Sequence, residues 1–144
     1  MLRTVVRPSW AFLPLLASAV ASCSSSETVE QQSKLAASTA QAAVLVNDAW
    51  LAGAAPSRYA SSALQSFAET LADAGRQVES ALPSDKPRRD AVAEALSRLS
   101  DAAKRAKSAV EAEQHFQAGQ AQQELRAAQG ELAAAYRQYF SPGR

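Results

Sequence analysis

Cysteine occurs once in the 144 residues, at Cys23, and histidine once, at His115. No disulfide can close within the chain, and a tetrahedral zinc site lacks the three or four ligands it needs. Glycine (five) and proline (six) are scarce, and no glycine-rich phosphate loop or haem-attachment motif is present. Aromatic residues make up only 6% of the chain. Neither sign of charge dominates: 15 Lys and Arg face 14 Asp and Glu, for a formal net charge of +1. A nucleic-acid binder needs a basic surplus on one face, so nucleic acid is excluded as an expected partner. Alternating runs of Val, Ile, Thr and Tyr are missing, which argues against strands. The longest apolar stretch, about Trp10 to Val20, falls short of the roughly 20 residues that cross a bilayer.

What the chain does have is alanine, about a quarter of all residues. Alanine is the strongest helix former. Two clusters break the helical pattern: Gly53-Ala54-Ala55-Pro56-Ser57 and Leu82-Pro83-Ser84-Asp85-Lys86-Pro87. Pro83 ends one helix and Pro87 suits the first turn of the next. Ser57, and either Ser84 or Asp85, are expected N-caps.

Between the breaks, apolar residues recur every three and four positions, placing one stripe on one side of each helix. The second helix has Ala60, Leu64, Phe67, Leu71, Ala74, Val78 and Ala81. The third has Val92, Leu96, Leu99, Ala103, Ala106 and Val110. The last has Ala118, Ala121, Leu125, Ala128, Leu132, Ala135 and Tyr139. The first, about Glu27 to Ala52, is less regular: Leu35, Ala42, Val46 and Ala49 make one face, broadened by Val44, Leu45 and Trp50. Beyond Val110 the stripe slips by one residue, about 100° of rotation. A turn within Gln114 to Gln120, containing Gly119, accounts for the slip. The expected fold is all-α: an antiparallel up-down four-helix bundle over residues 27–140, with a tail at 141–144. The alternative is a three-helix arrangement with one long C-terminal helix.

The first 22 residues have the layout of a secretory signal, with Arg3 and Arg7 ahead of an apolar core. Its end reads Val20-Ala21-Ser22-Cys23, an aliphatic residue, two small residues and the cysteine. This resembles the lipobox of bacterial lipoproteins. The resemblance covers about the first 26 residues and implies that the signal is cut before Cys23 and that acyl chains are attached to the new N-terminal residue. It also implies membrane attachment through lipidated Cys23, and, because Ser24 rather than Asp follows, the periplasmic face of the outer membrane. Each buried methylene adds about 0.8 kcal/mol, so two or three chains anchor firmly. Ser24, Ser25 and Ser26 then read as a short polar tether. A rival reading takes Ala19-Val20-Ala21 as an A-x-A site, releasing a soluble periplasmic protein with a free thiol.

Chemistry-bearing residues are few. His115 has Glu111 four positions earlier and Glu113 nearby, but no second histidine completes a metal site or a nucleophilic triad. No catalytic residue, cofactor or metal is expected. Glu94 with Arg98 and Asp101 with Arg105 are spaced to pair weakly along a helix. Lys104, Arg105 and Lys107 form the most basic spot, suited to an anionic surface or to plain solvation. Tyr136, Tyr139 and Phe140 suit either the closing of one bundle end or a partner contact. The expected function is a small non-enzymatic envelope lipoprotein that presents a helical surface to another envelope protein or to a second copy of itself. The alternative is a periplasmic bundle that binds a ligand or metal between its helices.

Overall fold

The computed structural model describes residues 25–81 and 86–140. These form four helices: α1 (Ser25–Leu51), α2 (Ser57–Ser80), α3 (Lys86–Glu111) and α4 (His115–Phe140). Cross-helix hydrogen bonds set every neighbouring pair antiparallel. Gln32 meets Gln77, Trp50 meets Ser57, Ser100 meets Ala68, Arg98 meets Glu131, and Gln41 meets Gln129. The order around the bundle is α1, α2, α3, α4, closed by α1 against α4, and α1 also touches α3 across the diagonal. The four-helix bundle read from the sequence is therefore the fold, and the long C-terminal helix is not.

Every residue of the expected α3 stripe is buried, from Val92 to Val110. In α4 the stripe is buried from Ala118 to Ala135, with Tyr139 half-buried at its end. In α2 the stripe is buried from Ala60 to Val78 except that Ala68 is buried where Phe67 is half-buried, and Ala81, just past the helix end, is half-buried. Leu64, Leu71, Leu96, Leu99 and Leu125 supply the large core side chains, and alanines fill the rest. Full burial of a leucine stabilises by about 1.5–3 kcal/mol and an alanine by far less.

Helix α1 departs from expectation. Along its inner face lie Val29, Ser33, Ala36, Ala40, Ala43, Asn47 and Trp50, flanked by the buried Thr39 and Val44. That is an unbroken three-and-four spacing, and two of its members are polar. An apolar count skips Ser33 and Asn47 and selects instead Leu35, Ala42, Val46 and Ala49. Leu35 is in fact 47% exposed, and the other three are half-buried. The Asn47 amide is held inside because it finds partners across the bundle, as described below, whereas the Thr39 hydroxyl donates to Leu35 O of its own helix and the Ser33 hydroxyl has no partner.

Helix ends explain the turns. Helix α1 closes with Gly53 at φ 75°; Gly53 N–H donates to Trp50 O and Ala54 N–H to Ala49 O, at 2.9 and 2.8 Å. This is the Schellman pattern, in which a left-handed residue satisfies the last carbonyls. Helix α3 ends the same way, Glu113 N–H donating to Val110 O and Gln114 N–H to Ala109 O, at 3.1 and 2.8 Å. Here the left-handed residue is Glu113, at φ 53°. The α3–α4 turn thus lies at 112–114, ahead of the expected span, and Gly119 sits inside α4. The first turn of α4 is exposed up to Gln117, so it has no apolar stripe to separate it from a loop.

Ser57 does not act as the N-cap of α2. Pro56 holds that position with φ −64° and ψ 145° and without a side-chain cap bond. The Ser57 hydroxyl instead accepts the indole N–H of Trp50 at 2.9 Å. Trp50 is only 4% exposed, and a buried indole donor left unmatched is costly. Ser84 and Asp85 lie outside the described residues. Pro87 falls in the first turn of α3 as expected. Arg89, its side chain 12% exposed, reaches back across the second break and donates to Ala81 O at 2.9 Å, tying α3 to the end of α2.

Candidate functional site

Cys23 and the segment Val20, Ala21 and Ser22 lie outside the described residues. The start of α1 at Ser25 is at the bundle end shared with the start of α3 and the end of α4. Tyr136, Tyr139 and Phe140 gather there, with ring centroids 4.6 Å apart for Tyr136–Phe140 and 4.8 Å for Tyr139–Phe140. Tyr139 and Phe140 pack against the core, so this group closes the end of the bundle.

The opposite end joins the two turns. Trp50 of α1 stacks on His115 of α4, centroids 4.4 Å apart and planes 25° from parallel. Ser57, which accepts the Trp50 indole proton, donates weakly to Glu113 Oε1 at 3.5 Å. His115 is thereby engaged through its ring face as the first residue of α4. Among the described residues, no group of three or more His, Cys, Asp or Glu side chains is placed to hold a metal ion.

The basic trio is divided by the helix. Arg105 turns to α4 and donates to Glu124 at 2.5 Å. It does so in place of the expected partner Asp101, because its side chain lies on the α4 side of α3. Lys107 pairs with Glu111 at 3.4 Å, and Lys104 is exposed. Two of the three charges are therefore met within the molecule. The expected Glu94–Arg98 pair forms at 2.8 Å, and Arg98 also reaches Glu131 at 2.8 Å. Both carboxylates hold the Arg98 guanidinium in its charged form, Glu131 more strongly than Glu94. Exposed pairs of this kind contribute little individually.

A polar latch that sequence reasoning missed joins α1 to α4. Asn47, fully buried, donates through Nδ2 to Gln122 Oε1 at 2.8 Å and to Ala118 O at 3.1 Å. Gln122, 5% exposed, donates through Nε2 to Val44 O at 3.0 Å. Asn47 Oδ1 is buried without a partner. The available signal was positional: Asn47 continues the spacing of Ala36, Ala40 and Ala43.

With its inner face so occupied, α1 turns leucines outward. Leu35 is 47% and Leu45 57% exposed. With Ala42, Val46 and Ala49 they form a strip about 100° wide at 100° per residue. No charged residue lies between Lys34 and Asp48. Among the described residues no helix is long and apolar enough to cross a membrane. Compared with protein-family models, with curated proteins and with solved structures, the chain matches none.

Proposed function

We propose that this is a small, non-enzymatic bacterial lipoprotein, anchored through Cys23 at the periplasmic face of the outer membrane, that acts by offering the outer strip of α1 to another envelope protein or to a second copy. The anchoring rests on the resemblance of Val20-Ala21-Ser22-Cys23 to a lipobox. The observation that carries the interaction is the exposure of Leu35 and Leu45 on a span of α1 without charge. Single exposed leucines are ordinary on protein surfaces. Two on one side of one helix, joined by half-buried alanine and valine, make a patch of the kind that marks contact sites.

Two measurements test the two halves of this reading. Metabolic labelling with a fatty-acid analogue is expected to mark the wild type and not Cys23→Ser, and that variant should appear in the soluble periplasmic fraction. Equal labelling of both would remove the anchor. A photo-crosslinking residue at position 45, in intact envelopes, is expected to give a discrete adduct that the same residue at the exposed position 69 of α2 does not. Identical patterns at both positions would remove the role of α1.

A further inference from the structure

A groove lies between helices α1 and α4 near the end of the bundle where α1 begins. Its volume is about 430 Å³, and it is lined by Ser33, Lys34 and Ala37 from α1 and by Gln129, Leu132, Ala133, Tyr136 and Arg137 from α4. The register is set higher up by Asn47 against Gln122 and Gln41 against Gln129. Each step back along α1 is matched by a step forward along α4. Ser33 and Lys34 therefore stand level with Tyr136 and Arg137, while Ala37 stands level with Leu132 and Ala133. The Gln41–Gln129 amide pair, at 3.1 Å, marks the inner end.

This register separates the groove by chemistry. Its inner part is an apolar stretch walled by Ala37, Leu132 and Ala133. From Gln129 to Arg137 it runs about 12 Å at 1.5 Å per residue. Its mouth carries two cations, Lys34 and the exposed Arg137, and no acidic side chain lines it. Lys34 is bonded to Glu30 at 2.7 Å, so Arg137 supplies the unmatched positive charge. Ser33 is the independent sign of a ligand. It is 2% exposed, and its hydroxyl has no hydrogen-bond partner. A buried hydroxyl is almost always matched, and one that is not calls for an explanation.

We infer that the α1–α4 groove binds a single-chain anionic amphiphile, with its tail along Ala37, Leu132 and Ala133 and its carboxylate or phosphate head among Ser33, Lys34 and Arg137. Rotation of the Ser33 side chain would bring its unpartnered hydroxyl, sealed from solvent as it stands, to a head-group oxygen, and Arg137 supplies the charge that selects an anion. The volume lies within the range of small-molecule sites. This site stands apart from the outer strip of α1 and does not depend on the anchor.

Calorimetric titration of the purified protein below the micellar range, with decanoate and with decyltrimethylammonium, tests the inference. Decanoate is expected to bind saturably at one per chain, at least ten-fold more tightly than the cation with the same tail. Ala37→Trp fills the channel from an exposed position and should abolish binding. Arg137→Glu, also exposed, should cancel or reverse the preference for the anion, and circular dichroism checks that both variants keep the fold. Decyl phosphate in place of decanoate separates a phosphate-headed ligand from a fatty acid, either result being compatible with the site. No saturable binding, equal affinity for anion and cation, or unchanged binding in a folded Ala37→Trp would overturn the assignment.

Discussion

Replacing Asn47 by leucine keeps the side chain's shape and removes its amide. Two hydrogen bonds are lost, to Gln122 Oε1 and to Ala118 O. Ala118 O keeps its own helical bond, so the stranded group is Gln122 Oε1, buried and without a donor. Each net hydrogen bond contributes about 1 kcal/mol, and a stranded buried acceptor costs a further 1–3 kcal/mol. Against this, the leucine adds apolar burial and removes Asn47 Oδ1, which has no partner in the wild type. The balance is a loss of about 2 kcal/mol. Gln122→Met, which leaves one Asn47 N–H unmatched and strips the donor from Val44 O, should cost about 1–2 kcal/mol on the same basis. The double variant removes donors and acceptors together and should recover most of the loss, because replacing a whole buried polar set by apolar groups of the same shape is close to neutral. The double-mutant cycle then yields a coupling of about 1–3 kcal/mol, read from urea unfolding followed by circular dichroism at 222 nm. A double variant as unstable as the sum of the two singles would refute the account of the latch.

Three further outcomes follow from the helix ends and interiors. Gly119 and Gly130 lie inside α4 with open space where a Cβ would stand, so Gly119→Ala and Gly130→Ala should each stabilise by about 0.5–1 kcal/mol, seen as raised urea midpoints. Glu113 occupies a left-handed position that costs a non-glycine residue about 1–2 kcal/mol, so Glu113→Gly should raise the melting temperature, while Glu113→Val should lower it. The hydrogen bond from the Arg89 guanidinium, and then that from the Lys86 ammonium, hold the Asp90 carboxyl below its ordinary range. A depressed carboxyl stabilises the fold above its unfolded value near 3.9 and loses that contribution as pH falls through the folded value. Melting temperatures measured from pH 5 down to pH 2 should therefore fall less in Asp90→Asn than in the wild type.

The helices that read most clearly were those whose buried faces are apolar throughout. In α3 the stripe from Val92 to Val110 is the buried face, and in α4 the one-residue slip after Val110 did mark a turn. The error at Asn47 has a physical cause: a polar side chain can be more valuable inside than out when a partner waits across the bundle. Asn47 and Ser33 belong to the inner face of α1 for positional reasons that hydropathy does not carry. Ser57 looked like a cap because capping is a local property, whereas the demand of the Trp50 indole is a long-range one. Glycine was expected in the turn between α3 and α4 because it is the residue with least strain there, yet Glu113 takes the left-handed position and Gly119 continues a helix. Of the candidate surfaces, the outer strip of α1 was hidden by its own hydrophobicity, since Leu35 and Val46 read as core. The groove beside it could not be read at all, because its shape depends on how two helices distant in sequence pack side by side.

Both reversals of the chain that the structure describes in full lie at one end, and the Trp50–His115 stack with the Ser57–Glu113 contact rivets them together. The molecule is in this sense a pair of tongs with its pivot at that end. Thermal breathing will be smallest at the rivet and grow toward the jaws, so amide protons of α1 should exchange progressively faster from Asn47 down to Glu30. A bundle of this build can yield beside its far end without disturbing the joint that keeps its four rods in order.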